Sequence, residues 1–157
     1  MGKNGGLIVR AGWAVCCCLS AAGAGSAHEH KAPHGGALIV FGEEFAHVEL
    51  VLDGQSGKLT AYVLDGEAEK SVRVKQKEIE LRLRFADKKE ETVAVTLKAV
   101  SNVLTGETAG DTSQFAGEAA ALKGATRFSG AIAAVSVKGQ EFKDVQFKFP
   151  EGNEDKR

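Results

Sequence analysis

The residues best suited to chemistry are four histidines that all lie between positions 28 and 47. They are His28, His30, His34 and His47, and they are the only histidines in the chain. A neutral imidazole nitrogen is a ligand for Zn(II), Cu(II) and Ni(II). The clustering therefore predicts a site for a divalent transition metal, to which Glu49 adds a carboxylate two residues after His47. The opposing interpretation is that polar tails commonly carry histidine and that a single histidine on a strand is usually a surface residue.

A second ligand set arises at His28 if the chain is cleaved after Ala27. The free amine, two deprotonated amide nitrogens and the imidazole of His30, then the third residue, supply four nitrogens in one plane. Cu(II) and Ni(II) favour that geometry. Alternatively, His28 chelates through its own amine and imidazole, and His34 or His47 completes the set. Both arrangements require cleavage at this one bond.

Residues 1–27 have the pattern of a cleavable secretory signal peptide. Lys3 and Arg10 are basic, residues 11–22 form an uncharged and mostly apolar run, and small residues precede Ala27. The run is too short to cross a bilayer comfortably, since a spanning helix needs about 20 residues. We therefore expect export to the periplasm or another extracytoplasmic compartment, with no membrane span in a mature chain that begins near His28.

The three cysteines, Cys16, Cys17 and Cys18, all fall inside the apolar run. Cleavage after Ala27 removes every thiol, so no disulfide and no cysteine ligand is expected in the mature protein. In the alternative interpretation one of these cysteines is the lipidated first residue of a lipoprotein. That interpretation is less favoured because Trp13-Ala14-Val15 precedes Cys16, instead of leucine followed by two small residues.

Composition argues against several other functions. Loss of Lys3 and Arg10 from the 20 basic residues leaves 18 against 21 acidic ones, a net charge of −3, which does not favour nucleic-acid binding. Met1 is the only methionine, so a thioether site for Cu(I) is not expected. The serines lack a recognisable nucleophile setting, and we therefore predict a non-enzymatic protein.

Alternation of apolar and polar residues predicts the strands that must position the histidines. Ala46, Val48 and Leu50 share one face of a strand, whereas His47 and Glu49 point outward. A hairpin turning at 42–44 pairs positions near 40 with positions near 47. His34 then lies beside the distal end of that strand, and it meets His47 only if the lead-in 28–35 folds back.

Further runs complete an all-β domain over residues 36–150. Strands are predicted near 37–41, 45–53, 59–64, 79–85, 93–99, 127–137 and 141–149, with a short helix over 117–123. About eight short strands with almost no helix favour an antiparallel β-sandwich resembling the immunoglobulin fold. The charged tail, residues 151–157, is predicted to be disordered.

Three stretches resemble a small periplasmic module. They are Pro33-His34-Gly35-Gly36, the run 45–51 (Phe-Ala-His-Val-Glu-Leu-Val) and the run 59–65 (Leu-Thr-Ala-Tyr-Val-Leu-Asp). Residues 113–115 (Ser-Gln-Phe), Leu122, and residues 128–149 with Gly139 resemble the continuation of the module in standalone exported proteins. This module occurs alone in exported proteins and as an N-terminal segment of the periplasmic adaptor subunits of heavy-metal efflux pumps. The resemblance implies a β-sandwich and metal handling, with His34, His47 and Glu49 as the carried-over positions.

Together these patterns predict an exported protein that binds copper, nickel or zinc and either buffers the ion or passes it to an envelope efflux component. The alternative prediction is a structural or interaction module whose exposed sheet edge binds another envelope protein.

Overall fold

The described part of the chain consists of eight strands and one turn of 3₁₀ helix. The computed structural model describes residues 1–2, 30–86 and 92–153. The strands are β1 Ala37–Phe41, β2 Ala46–Asp53, β3 Lys58–Leu64, β4 Glu78–Arg84, β5 Thr92–Ala99, β6 Gln114–Glu118, β7 Phe128–Val137 and β8 Gln140–Phe149, and the 3₁₀ helix is Ala120–Leu122. The predicted all-β class and the number of strands are confirmed.

All eight strands belong to one antiparallel sheet that is nearly closed. Their order is β1-β2-β3-β6-β5-β4-β7-β8, so β6 pairs with both β3 and β5 although it follows β5 by a long loop. The two end strands, β1 and β8, lie beside each other. After β8 the chain turns back, and the side chain of Asn153 donates to the carbonyl oxygen of Val40 (3.0 Å) and accepts from its N–H (2.8 Å).

The core lies inside the curved sheet because alternate residues of each strand point inward. On β4 the buried side chains Ile79, Leu81 and Leu83 alternate with exposed charged residues, as the sequence predicts. Strands from both halves of the sheet contribute to one continuous cluster of buried apolar residues. Full burial of each such Leu or Ile side chain stabilises the fold by roughly 1.5–3 kcal/mol.

The first hairpin has the predicted register, with Val40 opposite His47 and Phe41 opposite Ala46. The helix is shorter than predicted, since Gly117 and Glu118 extend strand β6 instead of starting a helix. Gly117 packs so closely on β5 that an added Cβ would lie 2.5 Å from the carbonyl oxygen of Thr96. Pairing across the sheet here overrides the local helical preference of the Glu-Ala-Ala-Ala stretch.

Several sequence predictions fall outside the described residues. They concern residues 3–27 of the signal peptide, His28, and residues 154–157 of the tail. Within the described ranges, no helix has the length and apolar character needed to cross a membrane.

Candidate metal site

Residues 30–36, which we call the strap, fold back across the outer face of β2. A backbone hydrogen bond from the N–H of Gly35 to the carbonyl oxygen of Ala32 (3.2 Å) closes a turn around Pro33. Gly35 has a φ of 72°, in the left-handed region that favours glycine. The turn reverses the lead-in just before β1 starts, so the strap lies over β2 instead of continuing the line of the sheet.

Glu49 on β2 fastens the strap. Its carboxylate is fully buried, and Oε1 accepts hydrogen bonds from the backbone N–H groups of His34 and Gly36, both at 2.8 Å. The second oxygen, Oε2, lies 2.7 Å from Nδ1 of the His34 ring. Buried carboxylates are stabilised by such partners, and hydrogen bonds to a charged group contribute about 1.5–3 kcal/mol each.

Two further contacts hold the strap against the sheet. The ring of His34 stacks on Tyr62, with centroids 3.8 Å apart and planes within 10° of parallel. Tyr62 stands opposite Glu49 in the pairing of β2 with β3, so both contacts of the His34 ring come from one cross-strand pair. At Gly36 an added Cβ would lie 2.3 Å from the carbonyl oxygen of Leu50, so only glycine allows this approach.

His47 is fully buried and fixed by its neighbours on the sheet. Its Nδ1 lies 2.9 Å from the backbone carbonyl oxygen of Asp65, at the end of β3. A carbonyl oxygen only accepts, so Nδ1 of His47 is the donor and carries the proton. In the neutral ring Nε2 then carries the lone pair. Metal-binding histidines commonly have this arrangement, in which one ring nitrogen donates to a protein acceptor and the other binds the ion.

The side chain of Asp65 organises the loop that presents this carbonyl. Its Oδ1 accepts from the backbone N–H groups of Glu69 (3.0 Å) and Lys70 (3.1 Å). Burial raises the pKa of Asp65, but these N–H groups and the Lys70 ammonium outweigh it and hold the pKa below its ordinary value. The carboxylate therefore stays charged at neutral pH and keeps the loop closed.

His30 lies against His47. The two ring centroids are 4.8 Å apart and the planes are nearly perpendicular, at 84°. Nδ1 of His30 and Nε2 of His47 are both buried and have no hydrogen-bond partner among the described residues. A buried polar atom without a partner costs about 1–3 kcal/mol, so two such atoms on adjacent rings need an explanation. The other nitrogen of His30, Nε2, lies 3.9 Å from the carboxylate of the exposed Glu67.

The structure thus brings the predicted residues together in two pairs, His30 with His47 and His34 with Glu49. Within the described ranges, no group of three or more His, Cys, Asp or Glu side chains is arranged to hold a metal ion. His47 and Glu49 lie on the face of β2 opposite the core, as expected, but the strap covers that face and leaves both residues fully buried. The lead-in does fold back, but it brings His34 to Glu49 and His30 to His47.

Sequence reasoning missed Tyr62, Asp65 and the steric role of Gly36. The position of Tyr62 beside the site could have been predicted from the register of β2 with β3, since the residue opposite Glu49 lies on the same face of the sheet. Asp65 acts on His47 through a backbone carbonyl, and no side-chain pattern marks that role.

Comparisons of this chain with family models, with curated proteins and with solved structures gave no match. The resemblance to the periplasmic module therefore stays a prediction, and the site is interpreted from its own geometry.

Proposed function

We propose that this protein is an exported, non-enzymatic β domain that binds a divalent transition metal, Cu(II), Ni(II) or Zn(II), through His30 and His47. The observation that supports the proposal is a pair of buried nitrogens on two adjacent imidazoles that find no hydrogen-bond partner within residues 30–86 and 92–153. The domain then either buffers the ion or passes it to an efflux component of the envelope.

A metal ion accounts for both orphan nitrogens at once. The two rings do not hydrogen-bond to each other, and an apolar contact would leave both lone pairs desolvated. The bond from His47 Nδ1 to Asp65 is the outer-shell contact that orients a ligand and raises its basicity. Water, or groups that precede His30 in the sequence, complete the coordination in this proposal, and His28 with its free amine is the first candidate.

His34 and Glu49 have a different role in this proposal from the ligand role expected of them. Nδ1 of His34 and Oε2 of Glu49 already satisfy each other at 2.7 Å, and the other carboxylate oxygen, Oε1, accepts from two backbone N–H groups. We assign them to fastening the strap that carries His30.

The proposal is tested by titrating the chain that begins at His28 with Zn(II), Cu(II) and Ni(II) in a calorimeter. His30→Ala and His47→Ala should each weaken binding at least tenfold, because each removes one of two imidazole ligands, and circular dichroism should confirm that both variants keep the parent fold. Adding one residue before His28 moves the free amine away from the His28 nitrogen. If that amine binds the ion, the addition should weaken the binding of Cu(II) and Ni(II) more than that of Zn(II). Absence of saturable binding below roughly millimolar metal, or unchanged binding by both histidine variants, would overturn the proposal.

A second candidate, an interaction module, has one observation in its favour. Val103 and Leu104 are each 94% exposed, and they form the tip of the loop between β5 and β6. Together with Met1 they are the large exposed apolar side chains of the described residues. Large exposed apolar side chains on a fixed loop are typical of a contact with another protein. This candidate becomes the better account if the metal titration fails.

A further inference from the structure

We propose that the strap carries His30 to the metal ion and that Glu49 is the residue which positions the strap. The resulting pair of histidines accepts divalent ions with four ligands but not monovalent ions with two ligands in a line. This inference rests on the proposed function and names the class of ion and the residue that controls the site.

For an ion bound by both orphan nitrogens along their lone pairs, the separation of the two ring centroids fixes the angle at the ion. An ion about 2.0–2.1 Å from each nitrogen lies roughly 3.1–3.2 Å from each ring centroid. Centroids 4.8 Å apart then correspond to an angle at the ion of roughly 100°. That angle lies between the 90° of neighbouring square-planar ligands and the tetrahedral angle of about 109°. A linear two-coordinate ion would need the centroids roughly 6.3 Å apart at the same bond length.

The two ligands are held in different ways. His47 belongs to β2, which pairs with β1 on one side and β3 on the other, so its backbone is fixed by two ladders. His30 precedes the first strand, and the strap that carries it is fastened through three hydrogen-bonded contacts to Glu49. Loss of the fastening therefore changes the position of His30 without removing any ligand atom.

Gly36→Ala is the sharpest test of this positioning. The new Cβ would lie 2.3 Å from the carbonyl oxygen of Leu50 and push the strap away from β2, while His30, His47 and Glu49 all remain. Gly117→Ala is the matched control, because its Cβ would lie 2.5 Å from the carbonyl oxygen of Thr96 in a different part of the sheet. We expect Gly36→Ala to weaken Zn(II) binding at least tenfold and Gly117→Ala to leave the Zn(II) dissociation constant within twofold of the parent, although both lower thermal stability.

Substitutions of Glu49 give a second, independent test. Glu49→Ala removes the acceptor of both backbone N–H groups, whereas Glu49→Gln keeps one amide oxygen that still accepts from them. We expect Zn(II) affinity to fall at least tenfold in Glu49→Ala and to be largely restored in Glu49→Gln. A role confined to global stability predicts instead that affinity stays constant in every variant that remains folded at the titration temperature.

Ag(I) tests the angle, because it is a monovalent ion that favours linear coordination by two ligands. We expect the parent protein to bind Ag(I) no more tightly than His30→Ala does, since the second imidazole cannot reach the linear position. Ag(I) binding that is at least tenfold tighter in the parent than in both His30→Ala and His47→Ala would overturn the bent geometry.

The outcomes separate this inference from the proposed function. Failure of the unmodified protein to bind any of the three divalent metals overturns both. Zn(II) binding that is lost in His47→Ala but unchanged in Gly36→Ala and Glu49→Ala overturns the positioning role alone and leaves the metal site standing.

Discussion

At the scale of single residues, His47 and Glu49 show how one strand face hosts two different kinds of buried polar group. Glu49 is saturated, since both of its oxygens accept hydrogen bonds from the strap. His47 is only half satisfied, since its Nδ1 donates to the Asp65 carbonyl oxygen while its Nε2 has no partner in the described part of the chain. A saturated group stabilises a fold, whereas a buried group with a free lone pair is a candidate for binding a ligand.

The tautomer of His47 is a prediction that can be tested without any metal. Because Nδ1 faces a carbonyl oxygen, two-dimensional ¹⁵N–¹H spectra of the metal-free protein should show that the neutral His47 ring carries its proton on Nδ1 and its lone pair on Nε2. On addition of Zn(II), Nε2 of His47 should shift. His34 is the internal control, because its Nδ1 faces Glu49 and its ring should keep its nitrogen shifts. A neutral His47 ring that carries its proton on Nε2 and none on Nδ1 would contradict the hydrogen bond to Asp65.

At the scale of elements, the loop between β5 and β6 is fixed in the same way as the strap, by one buried carboxylate. Glu107 accepts from the backbone N–H of Ser113 (2.8 Å), from the Ser113 hydroxyl (2.6 Å) and from the Thr105 hydroxyl (2.7 Å). The Arg73 guanidinium places Nε 4.0 Å from Oε1 of Glu107, and its Nη1 donates a hydrogen bond to Oδ2 of Asp111 (3.0 Å). These hydrogen bonds and ion pairs therefore tie the loop that presents Val103 and Leu104 to Arg73 and to the start of β6.

This carboxylate makes the stability of the protein depend on pH in a definite direction. Burial raises the pKa of Glu107, but the hydroxyls of Ser113 and Thr105, the N–H of Ser113 and the charge of Arg73 outweigh it and leave the pKa below its ordinary value. A lowered pKa in the folded state means that the stabilisation is complete above the unfolded value of about 4.3 and is lost as the pH falls through the folded value.

In urea unfolding, the free energy of unfolding of Glu107→Gln should therefore be lower than that of the parent by a constant amount, roughly 1–3 kcal/mol, between pH 5.5 and 8. The difference should shrink as the pH falls below about 4.3. Glu80→Gln, at an exposed position on β4, is the control and should show no difference at any pH. A difference in the free energy of unfolding between parent and Glu107→Gln that grows towards acid pH would contradict the lowered pKa of Glu107.

At the scale of the whole molecule, the sheet is almost a barrel, and its seam lies between β1 and β8. The chain closes part of this seam with residues that follow β8. Gly152 approaches β1 so closely that an added Cβ would lie 2.0 Å from the carbonyl oxygen of Leu38, and Asn153 satisfies both backbone groups of Val40. An open strand edge invites pairing with other chains, and these contacts cover that edge at Val40.

Asn153→Ala should loosen the seam without disturbing the candidate site. It removes two hydrogen bonds, so we expect a loss of roughly 1–3 kcal/mol in the free energy of unfolding. The amide of Val40 should exchange with solvent faster, while Zn(II) affinity should stay at the parent value. Gln140→Ala, exposed at the start of β8, is the control for a side-chain truncation near the same strand pair. Unchanged exchange at Val40 would show that Asn153 does not close the seam.

The sequence by itself determined the features that depend on near neighbours in the chain. The alternation of Ala46, Val48 and Leu50 with His47 and Glu49 assigns each residue to a face, because successive side chains of a strand point in opposite directions. The turn at 42–44 then sets the register that places Val40 opposite His47. These features are local, so a pattern in the sequence can carry them.

Only the tertiary structure decided which residues meet across longer distances. The strap covers β2 because Gly36 permits a close approach and because Glu49, 13 residues later, accepts its N–H group. The place of β6 between β3 and β5 depends on the packing of Gly117 against Thr96. The pairing of His30 with His47 depends in turn on the strap. Contacts between segments far apart in the chain leave no periodic signal in the sequence. The clustering of histidines therefore indicated a site, but only the tertiary structure shows which histidines meet there.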